Sequence, residues 1–229
     1  MGRKVGWILG LIAVLLFGHL WWRSSELGPF TGDYLVRLQP SAAIAWNLFL
    51  MALFAVSHSV FASKWFKRRK NRPSQIERRI FLILNFIVVA FVWMYWAPLP
   101  EPVLWHFHGF AALPFYAVQL TGLFGFLWTA RHFHLPSFFG EKPDTAKLEF
   151  KGPFALCRHP SYFFGSLLLV TPHMPAGRAL IAVTALAYMM IGSRLEERKL
   201  LSQYGDEYAK YRARTPWFIP KSLSKVRNP

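Results

Sequence analysis

Apolar residues in this chain come in long blocks rather than at the three- and four-residue spacing of a water-soluble amphipathic helix. Val5 to Trp22 is apolar apart from His19, and Ser41 to Ala62, Ile80 to Ala97 and Gly109 to Ala130 repeat the pattern. Blocks of about 18 or more residues without a charge can cross a bilayer, so each predicts a spanning helix. Pro114 stands near the start of the fourth block and either kinks that helix or begins it. Ser161 to Thr171 is apolar but short, Pro172 and Pro175 break it, and Gly177 to Gly192 is apolar again. This pair predicts a helical hairpin that dips into or crosses the membrane. From Ser193 the pattern turns charged, which predicts an amphipathic juxtamembrane helix. The expected fold is all-α: a polytopic integral membrane protein with five to six transmembrane helices, ending in the hairpin and the juxtamembrane helix. It reads as one membrane domain over 1–229. Residues 1–130 form a four-span scaffold, 131–220 a polar loop and the functional C-terminal region, and 221–229 a basic tail.

The segments between the blocks orient them. After the first block comes Trp21-Trp22-Arg23 instead of the small residues of a signal-peptide cleavage site, so a retained span with interfacial tryptophans is expected. Lys64 to Arg79 carries eight Lys or Arg, Pro98 to His108 none, and Arg131 to His159 five. This alternation is the positive-inside pattern. With six crossings both termini lie in the cytoplasm, and of 27 Lys and Arg only Arg23, Arg37 and Arg178 fall outside. A bacterial inner membrane is the expected location. The net charge of +16 would suggest nucleic acid in a soluble protein. Here the basic residues flank apolar blocks, so membrane lipids are the expected partner and nucleic acid is not; Lys64 to Arg79 reads as a cytoplasmic loop that sets topology, with a phospholipid-headgroup contact as the alternative. The single cysteine, Cys157, excludes an internal disulfide and any CxxC pair, and a passive thiol is expected of it.

Ionisable residues at the edges of apolar segments are functional candidates, and they gather at the two ends of the hairpin. Arg158-His159-Pro160 precedes it. Pro160 suits the first turn of a helix, whose free N–H groups, with an Arg and a His, suit a carboxylate or phosphate. After the hairpin stand Glu196 and Glu197, turned about 100° apart on a helix. Glu197, Tyr204, Tyr208 and Tyr211 follow at helical spacing, which predicts one shared face. Two adjacent carboxylates there need a cation or water. The alternative is a juxtamembrane helix with solvated charges. His19, Asn47, Asn85 and Gln119, inside the spans, are expected to make interhelical hydrogen bonds. Pairs such as His106/His108 and His132/His134 lack a third ligand nearby in sequence, so no metal is expected.

The run Gly152-Pro153-Phe154, Arg158-His159-Pro160, Tyr162, Glu196-Glu197-Arg198, Tyr208, Tyr211-Arg212, Pro216 and Ile219-Pro220 resembles the membrane methyltransferases typified by isoprenylcysteine carboxyl methyltransferase. His58-Ser59, Glu77-Arg78, Trp96 with Pro98-Leu99-Pro100, His132-Phe133 and Thr171-Pro172-His173-Met174 extend the resemblance, toward the bacterial methanethiol S-methyltransferase group. The chain departs from the usual pattern at Phe164, where the superfamily has Gly, at Ser57 (usually Gln) and at Arg131 (usually Asn). The resemblance implies S-adenosyl-L-methionine as cofactor and a small thiol as substrate. Arg158, His159, Pro160, Tyr162, Glu196, Glu197, Tyr204 and Tyr208 would bind the cofactor. Its carboxylate suits Arg158 and His159, its ammonium Glu196 or Glu197, and its sulfonium an aromatic face. Arg158, Arg212 and His58 are candidates for favouring the thiolate. The arrangement expected is Arg158-His159 facing Glu196-Glu197 across the cofactor. Competing readings are a methyltransferase acting on isoprenylcysteine or phospholipid, a nicotinamide-dependent membrane reductase with a similar Arg-His-Pro-x-Tyr segment, and a non-catalytic membrane scaffold.

Overall fold

The computed structural model describes residues 5–23, 36–63, 75–132, 148 and 150–220. The basic head, most of the basic loop after Ser63, most of the polar loop after His132 and the basic tail lie outside the described residues. The helices are α1 (Val5–Arg23), α2 (Pro40–Ala62), α3 (Gln75–Tyr95), α4 (Leu113–Ala130), α5 (Pro153–Leu156), α6 (Pro160–Leu167) and α7 (Ala176–Arg214). A 3-10 turn, Gly109–Ala112, leads into α4. Pro114 occupies the first turn of α4, so it begins the helix, where its missing N–H costs nothing. Among the described residues, Pro40–Ala62, Gly109–Ala130 and Ala176–Arg214 are long and apolar enough to cross a membrane, and Leu11–Trp21 and Arg79–Tyr95 are shorter apolar runs.

The surface of these helices is inverted relative to a water-soluble protein. On α4, Leu113, Tyr116, Leu120, Leu123, Phe124 and Leu127 are exposed, while Gly122, Gly125 and Thr129 are buried. Large side chains face outward and small ones meet protein, as in membrane helix packing. The chain is an all-α integral membrane protein.

Two short strands depart from the sequence expectation. β1 (Val103–His106) and β2 (His173–Pro175) pair antiparallel, with Trp105 opposite Met174 and His106 opposite His173. The sequence reads one as loop and the other as a proline break. Both are too short to show alternation, and their pairing is non-local.

Contacts divide the structure into two compact units. The first holds α1 to α3, β1, β2 and the start of α7 through Thr184. Its core is Leu20, Leu50, Met51, Val92, Trp96 and Ile181. Its polar residues are engaged. Asn47 is fully buried and bonds Ala97 twice, through Nδ2 to the carbonyl at 2.8 Å and Oδ1 from the N–H at 2.9 Å. Trp93 donates to His19 at 2.8 Å, and His58 lies 2.6 Å from Asn85. An unsatisfied polar group in hydrocarbon costs several kcal/mol, so these bonds are what allows such residues inside spans.

The second unit holds α4, α5, α6 and the rest of α7. A Cβ on Gly122 would lie 2.8 Å from the Phe164 carbonyl, and one on Gly125 would overlap the Phe164 ring. Phe164, at the position where a Gly is usual, is therefore seated on a glycine contributed by the neighbouring helix. Gln119 donates to the Leu168 carbonyl at 3.3 Å, and Phe107 N–H to the Pro172 carbonyl at 2.9 Å. Contacts thus run along α4 from Gly125 to Phe107 as the partner chain runs from Phe164 to Pro172. The first arm of the hairpin accompanies α4 antiparallel, although α6 alone rises only about 12 Å. It follows α4 as a short helix with a non-helical extension.

Candidate functional site

The site grows from local geometry on three segments of the second unit. Gly152 has φ 58°, in the left-handed region, and a Cβ there would lie 2.5 Å from His132 Nε2. Only glycine lets the backbone turn so close to that ring. The turn starts α5, and Cys157 then breaks it with an extended backbone. His159 precedes α6, which begins at Pro160 as the sequence predicts. Arg158 and His159 are thereby held in a short link between two helix ends. Glu197 lies 21 residues along α7, roughly 30 Å from its start at helical rise, which is about the thickness of the hydrocarbon core.

The two clusters meet directly. Arg158 Nε donates to Glu197 Oε1 at 2.6 Å, with the side chains 8% and 4% exposed. His159 Nε2 donates to the same oxygen at 3.3 Å. This corrects the expectation of an open interval between Arg158-His159 and Glu196-Glu197. A buried carboxylate without a partner is too costly to leave in place, and the nearest cation closes on it. Arg158 is further committed, because its Nη1 donates to the carbonyls of Arg212 at 2.9 Å and Thr215 at 2.7 Å. Those are carbonyls at the end of α7, so the guanidinium also caps a helix C-terminus, where a cation is favoured.

Glu196, one residue away, faces outward and is 48% exposed. It accepts from the Tyr162 hydroxyl at 3.3 Å and lies 3.8 Å from His159 Nδ1. The His159 and Tyr162 rings stack with 5.6 Å between centroids and 6° between planes. Arg212 Nε is 3.8 Å from Glu197 Oε2 and is 47% exposed. Burial holds the His159 imidazole below its ordinary pKa, against the pull of Glu196 and Glu197. Burial also pushes the Cys157 thiol up to about 12, so it stays protonated and inert.

The four-residue face expected on α7 is interrupted. Gly205 has φ 52° and ψ −126°, which breaks the helix between Tyr204 and Tyr208. Tyr204 is half-buried and falls before the break. Tyr208 and Tyr211, after it, are buried. Tyr211 donates to the Phe154 carbonyl at 2.7 Å. The Tyr208 hydroxyl is buried and has no hydrogen-bond partner among the described residues. The sequence reading missed how the chain after Thr215 closes this region. Arg158 N–H donates to the Pro216 carbonyl at 2.9 Å, Trp217 Nε1 to Ser193 Oγ at 3.0 Å, and the Arg194 guanidinium stacks 3.8 Å over the Trp217 ring. A tryptophan just past the end of a charged helix was the available signal.

The structure thus brings together Arg158, His159, Pro160, Tyr162, Glu196, Glu197, Tyr208 and Arg212. His58 belongs to the first unit. Asn85 Nδ2 donates to the Phe81 carbonyl at 2.7 Å, so its Oδ1 faces His58 and Nδ1 of that ring is the donor. The residues present fit a zwitterionic amino-acid group. An exposed carboxylate and a half-exposed guanidinium flank one buried ion pair.

No protein-family model matches the chain, and no solved structure matches it. Known proteins do. It is 34% identical over 223 residues to methanethiol S-methyltransferase 2 of Bradyrhizobium diazoefficiens, covering 86% of this chain and 84% of that one. It is 30% identical over 233 residues to the methanethiol S-methyltransferase of Mycobacterium tuberculosis, covering 92% of each. The corresponding Pseudomonas sp. protein is 32% identical over 200 residues, covering 78% of this chain and 74% of the relative.

Proposed function

Since the chain belongs to the methanethiol S-methyltransferase family, we propose that it is a membrane methyltransferase converting methanethiol to dimethyl sulfide with S-adenosylmethionine as donor. The observation that carries the site assignment is the buried Arg158–Glu197–His159 cluster beside an exposed Glu196. When bound, S-adenosylmethionine supplies an electrophilic methyl group on a sulfonium. Glu196 and the second oxygen of Glu197 would hold its ammonium, and Arg212 its carboxylate. Tyr162, stacked on His159 and bonded to Glu196, orients that carboxylate, with Tyr208 and Tyr204 beyond it on α7.

Roles among the cations follow from their engagement. Arg158 is spent on Glu197 and two carbonyls, so it positions the cluster. Arg212 is half-exposed and loosely held, so it is the guanidinium able to meet a ligand and to favour the thiolate of an incoming thiol. His58, with Nδ1 committed to Asn85, is the further candidate. An acceptor thiol gains a methyl group and releases a proton, so the chain's tasks are alignment, exclusion of water and proton removal. Both termini are assigned to the cytoplasm and the protein to the bacterial inner membrane, on the charge of the connecting segments.

Titrating detergent-purified protein with S-adenosylmethionine and with NADPH tests the donor. Binding of the first alone is expected, and binding of NADPH alone would replace this reading with a reductase. Glu197→Gln and His159→Ala should each weaken S-adenosylmethionine binding at least about tenfold, or 1.4 kcal/mol. Headspace analysis of membranes given methanethiol should detect dimethyl sulfide. Its absence, with donor binding intact, would move the acceptor to a lipid.

A further inference from the structure

Among the described residues, Arg158 meets Glu197 through one nitrogen, Nε at 2.6 Å. A bidentate pair fixes its own geometry, whereas a one-point pair leaves the guanidinium free to turn about the contact. Other acceptors set its direction. Nη1 donates to the carbonyls of Arg212 at 2.9 Å and Thr215 at 2.7 Å, and the Arg158 backbone N–H donates to the Pro216 carbonyl at 2.9 Å. Thr215 and Pro216 lie past the end of α7, outside any helix or strand. Their position depends on what anchors the chain beyond them, and Trp217 is that anchor. Its Nε1 donates to Ser193 Oγ at 3.0 Å, and the Arg194 guanidinium lies 3.8 Å over its ring. Ser193 is fully buried, and its own hydroxyl proton goes to the Met190 carbonyl at 2.8 Å, so its oxygen is left to accept. Ser193 and Glu197 stand four residues apart on α7 and share its buried face. That face carries both ends of a closed circuit: Glu197 to Arg158, Arg158 to Thr215 and Pro216, and Trp217 back to Ser193. An indole suits the last link, because it offers an N–H and a cation-binding ring face together.

We propose that Trp217 is a positioning residue for binding of the methyl donor: by pinning the chain after α7 to Ser193 and Arg194, it fixes the Arg158 guanidinium and through it the Glu197 carboxylate. This rests on the reading of S-adenosylmethionine as methyl donor. Trp217 acts on that ligand only through Arg158.

The test measures S-adenosylmethionine affinity by calorimetry in detergent. It compares wild type, Trp217→Phe, Ser193→Ala and their double variant, and Arg158→Lys with and without Trp217→Phe. Phenylalanine keeps a ring under Arg194 and loses only the N–H. Alanine at position 193 removes the acceptor, so if one variant fails to fold the other still reads the same bond. Each single change should weaken binding roughly three- to tenfold, the worth of one hydrogen bond. The double variant should lose no more than either, because both remove one shared contact. Arg158→Lys keeps the charge but replaces the fork with a single ammonium, so Trp217→Phe should cost nothing further in that background. A residue that merely stabilises the fold would add the same loss in both backgrounds. Wild-type affinity in Trp217→Phe and Ser193→Ala, or an undiminished loss on top of Arg158→Lys, overturns the proposal and leaves the donor reading standing. Wild-type protein that does not bind S-adenosylmethionine overturns the donor reading itself, and this inference with it.

Discussion

Glu196 and Glu197 are adjacent in sequence and opposite in circumstance. One is half-exposed; the other is buried against Arg158. Their substitutions should separate accordingly. Removing one partner of a buried ion pair costs on the order of 3–5 kcal/mol, so Glu197→Gln should lower the thermal midpoint sharply as well as weaken the donor. Glu196→Gln should weaken the donor with little change in midpoint, as thermal scans of the two variants would reveal. His159 adds a pH dependence. Burial lowers its folded-state pKa below the ordinary imidazole value, near 6.5 in the unfolded chain. The fold therefore favours the neutral ring. That stability is fully present above the unfolded value and is lost as pH falls through the folded one. Midpoints measured between about pH 8 and 5 should fall on acidification, and less steeply in His159→Gln; parallel curves would remove His159 as the cause. The identities of these residues were legible in sequence because charges beside apolar blocks stand out. Their direct contact was not, because spacing along a chain does not say whether two segments meet across a ligand or against each other.

At the scale of elements, the first four apolar blocks match α1 to α4 within a few residues, because a bilayer sets helix length more strictly than a soluble core does. Two element-level features were hidden. The pairing of β1 with β2 is non-local, and the break at Gly205 depends on a backbone angle that a lone glycine does not announce. The seating of Phe164 on α4 was hidden for a third reason, since the compensating glycine lies 39 positions earlier in the chain. That seat makes a prediction. Gly125→Val should destabilise by about 1–3 kcal/mol through overpacking against Phe164, and Phe164→Ala by about 3–5 kcal/mol through the cavity it leaves. Because each change relieves the defect of the other, the double variant should lose less than the sum, with a coupling of about 0.5–3 kcal/mol. Additive losses in a thermal or denaturant series would show that the two residues do not share a seat.

For the whole molecule, the question is which face of the membrane carries the charged cluster. The hairpin was ambiguous in sequence because its first arm is shorter than a span and two prolines interrupt it. The hydrogen bonds from Gln119 to Leu168 and from Phe107 to Pro172 run that arm along α4, and labelling tests whether it completes a passage. Within the second unit, His108 begins the segment leading into α4, and Lys199 lies on α7 just past Glu197; both are exposed. The native Cys157 is buried, with its thiol held protonated, so it should give little background. Single variants His108→Cys and Lys199→Cys can then be probed in spheroplasts with a membrane-impermeant maleimide. Labelling is expected at residue 108 in intact spheroplasts and at residue 199 only after permeabilisation. The reverse pattern would put the cluster on the outer face, away from the cytoplasmic supply of S-adenosylmethionine, and would be incompatible with the proposed donor reaching it. Equal labelling of both in intact spheroplasts would mean that the segment from Pro160 to Pro172 does not complete its passage.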